Sequence, residues 1–410
     1  MNMIFSNFRL WWQRPRNIRD RVDHRQVTFL ELFYDLVYVA LIAQLTQALA
    51  TQIDLTHILN FMFLFFIVWW AWLNGTSYHD LHGNDDIRTR VFTFLQMFTV
   101  AAMAVFAHDA MGDTSVGFAL SYAAFQLILT YLWWRTGVHD PNHRPLSTPY
   151  VFAFLINTLL FVASVFMEPP LRFYLWGIST VISLMLPIVI AALARNRPEV
   201  QEQITLSLTP SASFVERFGL LTIIVLGEVV VAVVSGLSSL DDMTMDIGLV
   251  AILSMLIGIS LWWLFFDYVS HRKPSAGRVS FLIWALTHLV VSAGIAMIGA
   301  AILNVIEQGR DTLPSDVRWL LVLAIAGVLL GIAILIQTIR VPEQYHMGFR
   351  KGQIVMVIAA MIIVALGLTS LETIPLLITI VICMITPVFF GLAFWLKETV
   401  HNLENAPETA

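Results

Sequence analysis

Between residues 27 and 396 the sequence is a succession of twelve apolar stretches, near 27–50, 57–77, 88–108, 115–135, 150–168, 171–194, 214–236, 246–269, 278–303, 317–339, 353–371 and 374–396. A run of about 20 mostly apolar residues is what an α-helix needs to cross the hydrocarbon of a bilayer. Lipid cannot satisfy exposed backbone N–H and C=O groups, so a chain built this way has few options. The pattern predicts an all-α polytopic membrane protein of about twelve transmembrane helices. Composition agrees, with 58% hydrophobic and only 12% charged residues and a mean hydropathy of +0.77, far from the balance of a soluble domain. The connections "MEPPLR" (167–172) and "SLETIP" (370–375) are so short that each predicts a tight hairpin between antiparallel neighbours.

The distribution of positive charge orients these spans. The first 26 residues carry six arginines and no continuous apolar core, so they read as a basic cytoplasmic segment rather than a secretory signal, with Trp11 and Trp12 at the interface. With the N-terminus inside, twenty of the 23 Lys and Arg residues fall on the cytoplasmic side, and only Arg172, Arg310 and Arg318 fall outside. Missing one span would invert every later loop and scramble that bias. Both termini are therefore expected in the cytoplasm. The expected organisation is a basic segment (1–26), a first six-helix repeat (27–194), a cytoplasmic linker (195–213), a second six-helix repeat (214–396) and a cytoplasmic tail (397–410). The net charge of −5 and the apolar spans predict the lipid bilayer as partner and no nucleic acid, while the oligomeric state is not legible.

The two halves share landmarks in one order. Glu31 and Phe33 in "ELFYDL" answer Glu216 and Phe218 in "ERFGLL", Trp69-Trp70 answers Trp262-Trp263, and Arg90-Val91 answers Arg278-Val279. An even number of spans per half gives both halves the same orientation, hence two parallel six-helix repeats.

The stretches "FLELFYDLVYVALIAQL" (29–45) and "ERFGLLTIIVLGE" (216–228) resemble the two signatures of the bacterial low temperature requirement protein A family. "WWAWLNGTSYHD", "RVFTFLQM" and "LWWLFFDY" are similar to it as well, so the resemblance spans nearly the whole chain. It implies a polytopic membrane protein connected with growth in the cold, a stress adaptation, and implies no particular reaction or substrate. It draws attention to Glu31, Asp35, Glu216, Arg217, Gly219, Gly227, Glu228, Gln96, Asp267 and His288. The histidines of "SYHDLHGNDD" (77–86) depart from its pattern.

The polar residues within the spans divide into two groups. Glu31 and Asp35 are four apart and share a helix face near the cytoplasmic end of the first span. Arg90, Arg217 and Arg278 begin their helices at a similar level and are expected to neutralise Glu31, Asp35, Glu216 and Asp267 in a cytoplasmic-side network, which serves either packing or function. Glu228 lies twelve residues beyond Glu216, roughly 18 Å along a helix and near the bilayer centre. An acid there is either reached by water and able to exchange a proton, or sealed and permanently protonated. His288, ten residues into the ninth span, is its candidate proton partner, or else a neutral residue bonded to a backbone carbonyl. Gln44 holds in the first half roughly the depth of Glu228 in the second, and Gln96 joins it as a candidate for solute contact. Gly219 and Gly227 allow either a bend or close packing.

Other chemistry is sparse. The single cysteine, Cys383, has no partner for an intrachain disulfide. The clusters "HDLHGNDD" (79–86) and "HDPNH" (139–143) have metal-friendly residue types, but Pro141 spoils helical histidine spacing, so no metal site is assigned. The tryptophan pairs 69–70, 133–134 and 262–263 serve either to stack a flat substrate or to anchor at the interface. No nucleotide-binding glycine loop or hydrolase elbow occurs, and no cofactor is expected. Secondary transport coupled to protons, of a small solute, is the function these features favour. The alternative is a membrane-embedded enzyme or lipid-modifying factor that uses the same acids.

Overall fold

The computed structural model describes residues 13–20, 25–308 and 311–404. Trp11, Trp12, Arg9, Arg21, Arg310 and the last six residues of the expected tail lie outside the described residues. Among the described residues are α1 (Phe29–Thr51), α2 (Leu55–His82), α3 (Ile87–Ala107), α4 (Ser115–His139), α5 (Arg144–Ser164), α6 (Leu171–Leu193), α7 (Pro198–Ser207), α8 (Ala212–Ser238), α9 (Met245–Tyr268), α10 (Arg278–Gln308), α11 (Ser315–Thr338), α12 (His346–Leu366) and α13 (Thr373–Glu404). No strand is present among them; one isolated bridge joins Pro274 to Ile339. Twelve of these helices are long and apolar enough to cross a membrane. The one that is not, α7, is a ten-residue helix inside the polar connection between the sixth and seventh spans.

The helices form two compact units, each with its own interior. The first takes the chain to Ala48, Leu55–Leu220 and Ala276–Arg278, and the second takes Leu49–Asp54, Leu221–Ser275 and the chain from Val279. Helix α8 therefore begins in the first and continues in the second. Within the first unit, α3, α4, α5 and α6 pack as consecutive neighbours, and α2 lies against α4. Short connections enforce that order. The short helix α7 closes one end, where Val200 and Ile204 complete an apolar cluster with Leu146, Ala153, Leu186, Ile190 and Ala194.

In the second unit α11, α12 and α13 are consecutive neighbours and α13 returns against α9. Helices α10 and α11 are strongly apolar, and most of the spanning window of each is buried, as expected of helices in the interior of a bundle. By contrast, only 28% of the spanning window is buried in α6 and in α12, which suits contact with lipid. Gly299 of α10 allows a close approach to α8: a Cβ there would stand 3.2 Å from the Glu228 backbone oxygen and Cβ. Gly227 is different, since a Cβ there would meet nothing within 4 Å, and α8 runs through it without a break.

Candidate functional site: a buried ion pair between the two signatures

The first signature builds its own helix start. Thr28 precedes α1, and Glu31 accepts hydrogen bonds from the Thr28 backbone N–H (2.9 Å) and hydroxyl (3.0 Å), while the Glu31 N–H donates to Thr28 Oγ1 (3.3 Å). That reciprocal arrangement is a capping box, written in the sequence as Thr-x-x-Glu. Arg25 donates to both oxygens of the same carboxylate, at 2.6 and 3.0 Å, in the fork geometry that makes such pairs strong. Thr28→Ala is expected to cost about 1 kcal/mol through the cap, measured as a lower unfolding temperature of the purified protein.

One turn deeper, Asp35 is fully buried and saturated. Arg217 from α8 donates to it through Nε (3.1 Å to Oδ2) and Nη2 (to Oδ1), and Trp72 of α2 adds an indole N–H bond to Oδ1 at 2.8 Å. The third guanidinium nitrogen, Nη1, lies 3.9 Å from Glu31 Oε1 without forming a hydrogen bond. Arg217 also sits 5.4 Å from the centre of the Tyr34 ring, and Phe218 packs edge-on against Trp72 at 5.0 Å. Two carboxylates and two guanidinium groups thus form a neutral chain, Arg25–Glu31–Arg217–Asp35, inside the first unit.

The spacing of the two signatures explains this geometry. Four residues place Glu31 and Asp35 on one face of α1, and Ser211 starts α8 so that Arg217 enters at their level. The Ser211 hydroxyl accepts the Phe214 N–H at 3.1 Å and donates to Asp80 of α2. Close by, Tyr34 and Tyr38 share a hydroxyl bond at 3.1 Å, and His79 stands edge-on to Tyr34. The His79 Nε2 lies 3.3 Å from Gln96 Oε1 and 3.2 Å from Thr93 Oγ1. Gln96 Nε2 is buried with no hydrogen-bond partner among the described residues, as is Thr76 Oγ1, and buried polar atoms of this kind are where waters are usually found. Gly75 makes room for the Tyr34 hydroxyl, with which a Cβ there would clash.

The other residues singled out in the sequence stand elsewhere. Arg90 is on the surface and pairs with Asp85 at 2.8 Å, and Arg278 donates to Gln201. Glu216 is half-buried and makes no ion pair among the described residues. Asp267 accepts the Trp263 indole N–H at 2.7 Å in the second unit. Gln44 is half-buried with no hydrogen bond among the described residues. Of the three arginines expected in the network, only Arg217 joins Glu31 and Asp35. Its companion Arg25 came from the basic segment, where nothing but the nearby capping box hinted at a specific partner.

Glu228 is 5% exposed, and no hydrogen bond or ion pair to its carboxylate is found among the described residues. It packs at Gly299, eleven residues beyond His288 on α10, which is roughly 16 Å along the helix. His288 places Nδ1 2.8 Å from the Trp284 carbonyl oxygen and packs edge-on against Trp284 and Phe265. His288 Nδ1 thus faces a backbone carbonyl, and the level at which α10 meets Glu228 lies further along the helix.

The two histidine-bearing clusters do converge, the first of them on the last turn of α2. The rings of His82 and His143 lie 4.8 Å apart in an edge arrangement beside Trp133. Their Nδ1 atoms face the Arg16 carbonyl and Gln203 Oε1, both at 3.0 Å. Among the described residues, however, no three His, Cys, Asp or Glu side chains come together as a metal-binding set. Burial pushes the His143 imidazole below its ordinary value, against the opposing pull of Asp140 and Gln203. The unfolded chain therefore takes up a proton that the folded chain refuses as pH falls below the ordinary value of 6.5. This contribution to stability is intact above that pH and is lost below it, by at most about 1.4 kcal/mol per pH unit. Replacing His143 by Gln is expected to flatten the slope of unfolding temperature against pH between 7 and 5.

These features define a polytopic helical membrane protein in which two signature motifs, 182 residues apart at Asp35 and Arg217, meet in one buried ion pair. The chain belongs to the bacterial low temperature requirement A family: the model described as "Bacterial low temperature requirement A protein (LtrA)" matches residues 26–388. It is also similar to "Uncharacterized protein RA0937" of Rhizobium meliloti (strain 1021), with 27% identity over 271 residues. That match covers 62% of this chain and 61% of the relative.

Proposed function

We propose that this protein is a proton-linked secondary transporter of a small solute in the bacterial cell membrane. In this reading it is built as two six-helix repeats of the same orientation, with both termini on the cytoplasmic side, and Glu228 is the proton-binding group. The observation that carries the reading is the state of Glu228: an acid sixteen residues into a spanning helix, nearly buried, with no fixed partner among the described residues. Ionisable groups in spans are costly and mark ion or substrate pathways. An acid with a fixed arginine partner has little reason to exchange its proton, whereas one without such a partner can alternate between forms. Gln96, His79 and Thr93 supply polar groups for solute or water in the first unit. The Arg25–Glu31–Arg217–Asp35 chain serves as the fixed end of the bundle in this scheme.

Acid–base chemistry by Glu31 and Asp35 is the less favoured reading. Each carboxylate already accepts bonds from an arginine and from a further donor, which leaves neither poised as a general base.

The test uses purified protein in liposomes that contain a pH-sensitive dye, challenged with pools of amino acids, sugars, polyamines and organic anions. Transport coupled to protons gives a solute-evoked pH change absent from empty liposomes. If every pool leaves the dye signal at the level of empty liposomes, the reading fails.

A further inference from the structure

At one end of the second unit a groove of about 780 Å³ opens between the C-terminal end of α9, the start of α12 and the middle of α13. Trp263, Phe266, Tyr268 and Phe349 wall it, and Asp267 and Arg272 supply its charges. Its volume falls in the range of ligand pockets, about 300–1,000 Å³.

Arg272 is held in place. The chain reverses after α9 through His271, whose φ of +61° is left-handed, and this turns Arg272 back over the helix end. Its Nη1 donates to the backbone carbonyls of Asp267 (2.8 Å) and Ser270 (3.4 Å), and its guanidinium stacks 4.9 Å from the Phe349 ring centre. Nε and Nη2 make no hydrogen bond among the described residues, although Arg272 lines the groove. A fixed guanidinium whose Nε and Nη2, with three N–H groups between them, are unbonded among the described residues is a receptor for an oxyanion. Asp267 also lines the groove, with Oδ2 bound by the Trp263 indole and no hydrogen bond to Oδ1 among the described residues.

The groove sits at the end of a helix long enough to span the membrane and at the start of another. Outside it, Trp262, Met347 and Phe389 are exposed apolar side chains, and Lys273, Arg350 and Lys351 add positive charge nearby in sequence. Aromatic walls with clustered cations at that level are typical of lipid interfaces. We propose that this groove binds the headgroup of a glycerophospholipid. The phosphate pairs with Arg272, the headgroup ammonium or hydroxyl pairs with Asp267, and the glycerol and first acyl carbons lie on Trp263, Phe266 and Phe349. The site is independent of the transport reading and uses none of its residues.

Native mass spectrometry of the full chain in detergent tests the site, with palmitoyl-oleoyl phosphatidylethanolamine, the phosphatidylglycerol analogue and the corresponding diacylglycerol as probes. Both phospholipids should bind with one saturating site. Diacylglycerol should bind at least about tenfold more weakly, and Arg272→Gln should weaken phospholipid binding by a similar factor. Leu392→Trp, which fills the groove without removing a charge, should have the same effect and serves if the arginine variant does not fold. Undiminished phospholipid binding in a folded variant of either kind would overturn the proposal. Inorganic phosphate, added as competitor, should displace the lipid only weakly. Displacement by phosphate at the concentration that suffices for the lipid itself would identify a free-anion site and also overturn it.

Discussion

Arg217→Ala is expected to lower the stability of the protein by about 3–5 kcal/mol, because removing one partner of a buried ion pair strands the other. Asp35 is fully buried, and of its three hydrogen bonds two come from Arg217. The Trp72 indole alone cannot compensate a carboxylate in an apolar interior. Glu31 suffers less, because Arg25 remains on both of its oxygens. Arg217→Lys should fall between wild type and alanine, since an ammonium cannot reproduce the two-pronged contact. The cycle with Asp35→Asn separates the pair from its surroundings. Asp35→Asn with Arg217→Gln should recover most of the lost stability, as neutral replacement of both members of a buried pair is tolerated far better than loss of one. Unfolding temperatures of wild type, Asp35→Asn, Arg217→Gln and the double variant measure the coupling. An additive cycle would mean that Asp35 and Arg217 do not interact in the folded protein.

Glu228→Gln should have the opposite profile. The substitution keeps the shape of the side chain and removes a group with no fixed partner among the described residues, so the unfolding temperature should hold or rise. Solute-evoked proton movement should fall to the level of empty liposomes, because an amide cannot release the proton that coupling requires. A substitution at Asp35 impairs folding first, whereas one at Glu228 impairs coupling in a protein that still folds. That contrast separates the structural acid from the acid proposed to carry the proton. Equal proton movement in Glu228→Gln and wild type would remove Glu228 from the mechanism.

The spans and the shared face of Glu31 and Asp35 were legible in the sequence because both rest on helix periodicity and on the length of apolar runs. Choosing Arg217 over Arg90 and Arg278 was not possible from depth, since all three begin their helices at a similar level. The choice is made by azimuth and by which helices adjoin α1, and neither is written in one chain. Trp72 illustrates the same limit: it lies in a stretch whose aromatic pairs invited an interfacial or stacking reading, yet its indole is the third donor to Asp35. Arg25 was counted only as a charge of the N-terminal segment, although Thr28 and Glu31 already spelled a capping box three residues beyond it.

His288 shows why depth counted from a helix start misleads. Helix α10 has 31 residues, more than a span needs, so ten residues into it is a shallower level than that of Glu228. Gly299, which no sequence motif marks, is the level at which α10 meets Glu228. Small residues identify close approaches only once the neighbouring helix is known.

Dicyclohexylcarbodiimide reacts with protonated carboxyl groups in apolar surroundings, and the rate of its adduct at Glu228 needs no knowledge of the solute. The rate should be followed by peptide mass spectrometry across about pH 5 to 9, the range in which a carboxyl within a protein interior can titrate. If Glu228 exchanges its proton with water, labelling is fast at the acid end and falls as pH rises. A rate at Glu228 that stays constant across that range, or no adduct at any pH, would show a sealed acid and contradict its role as the proton-binding group.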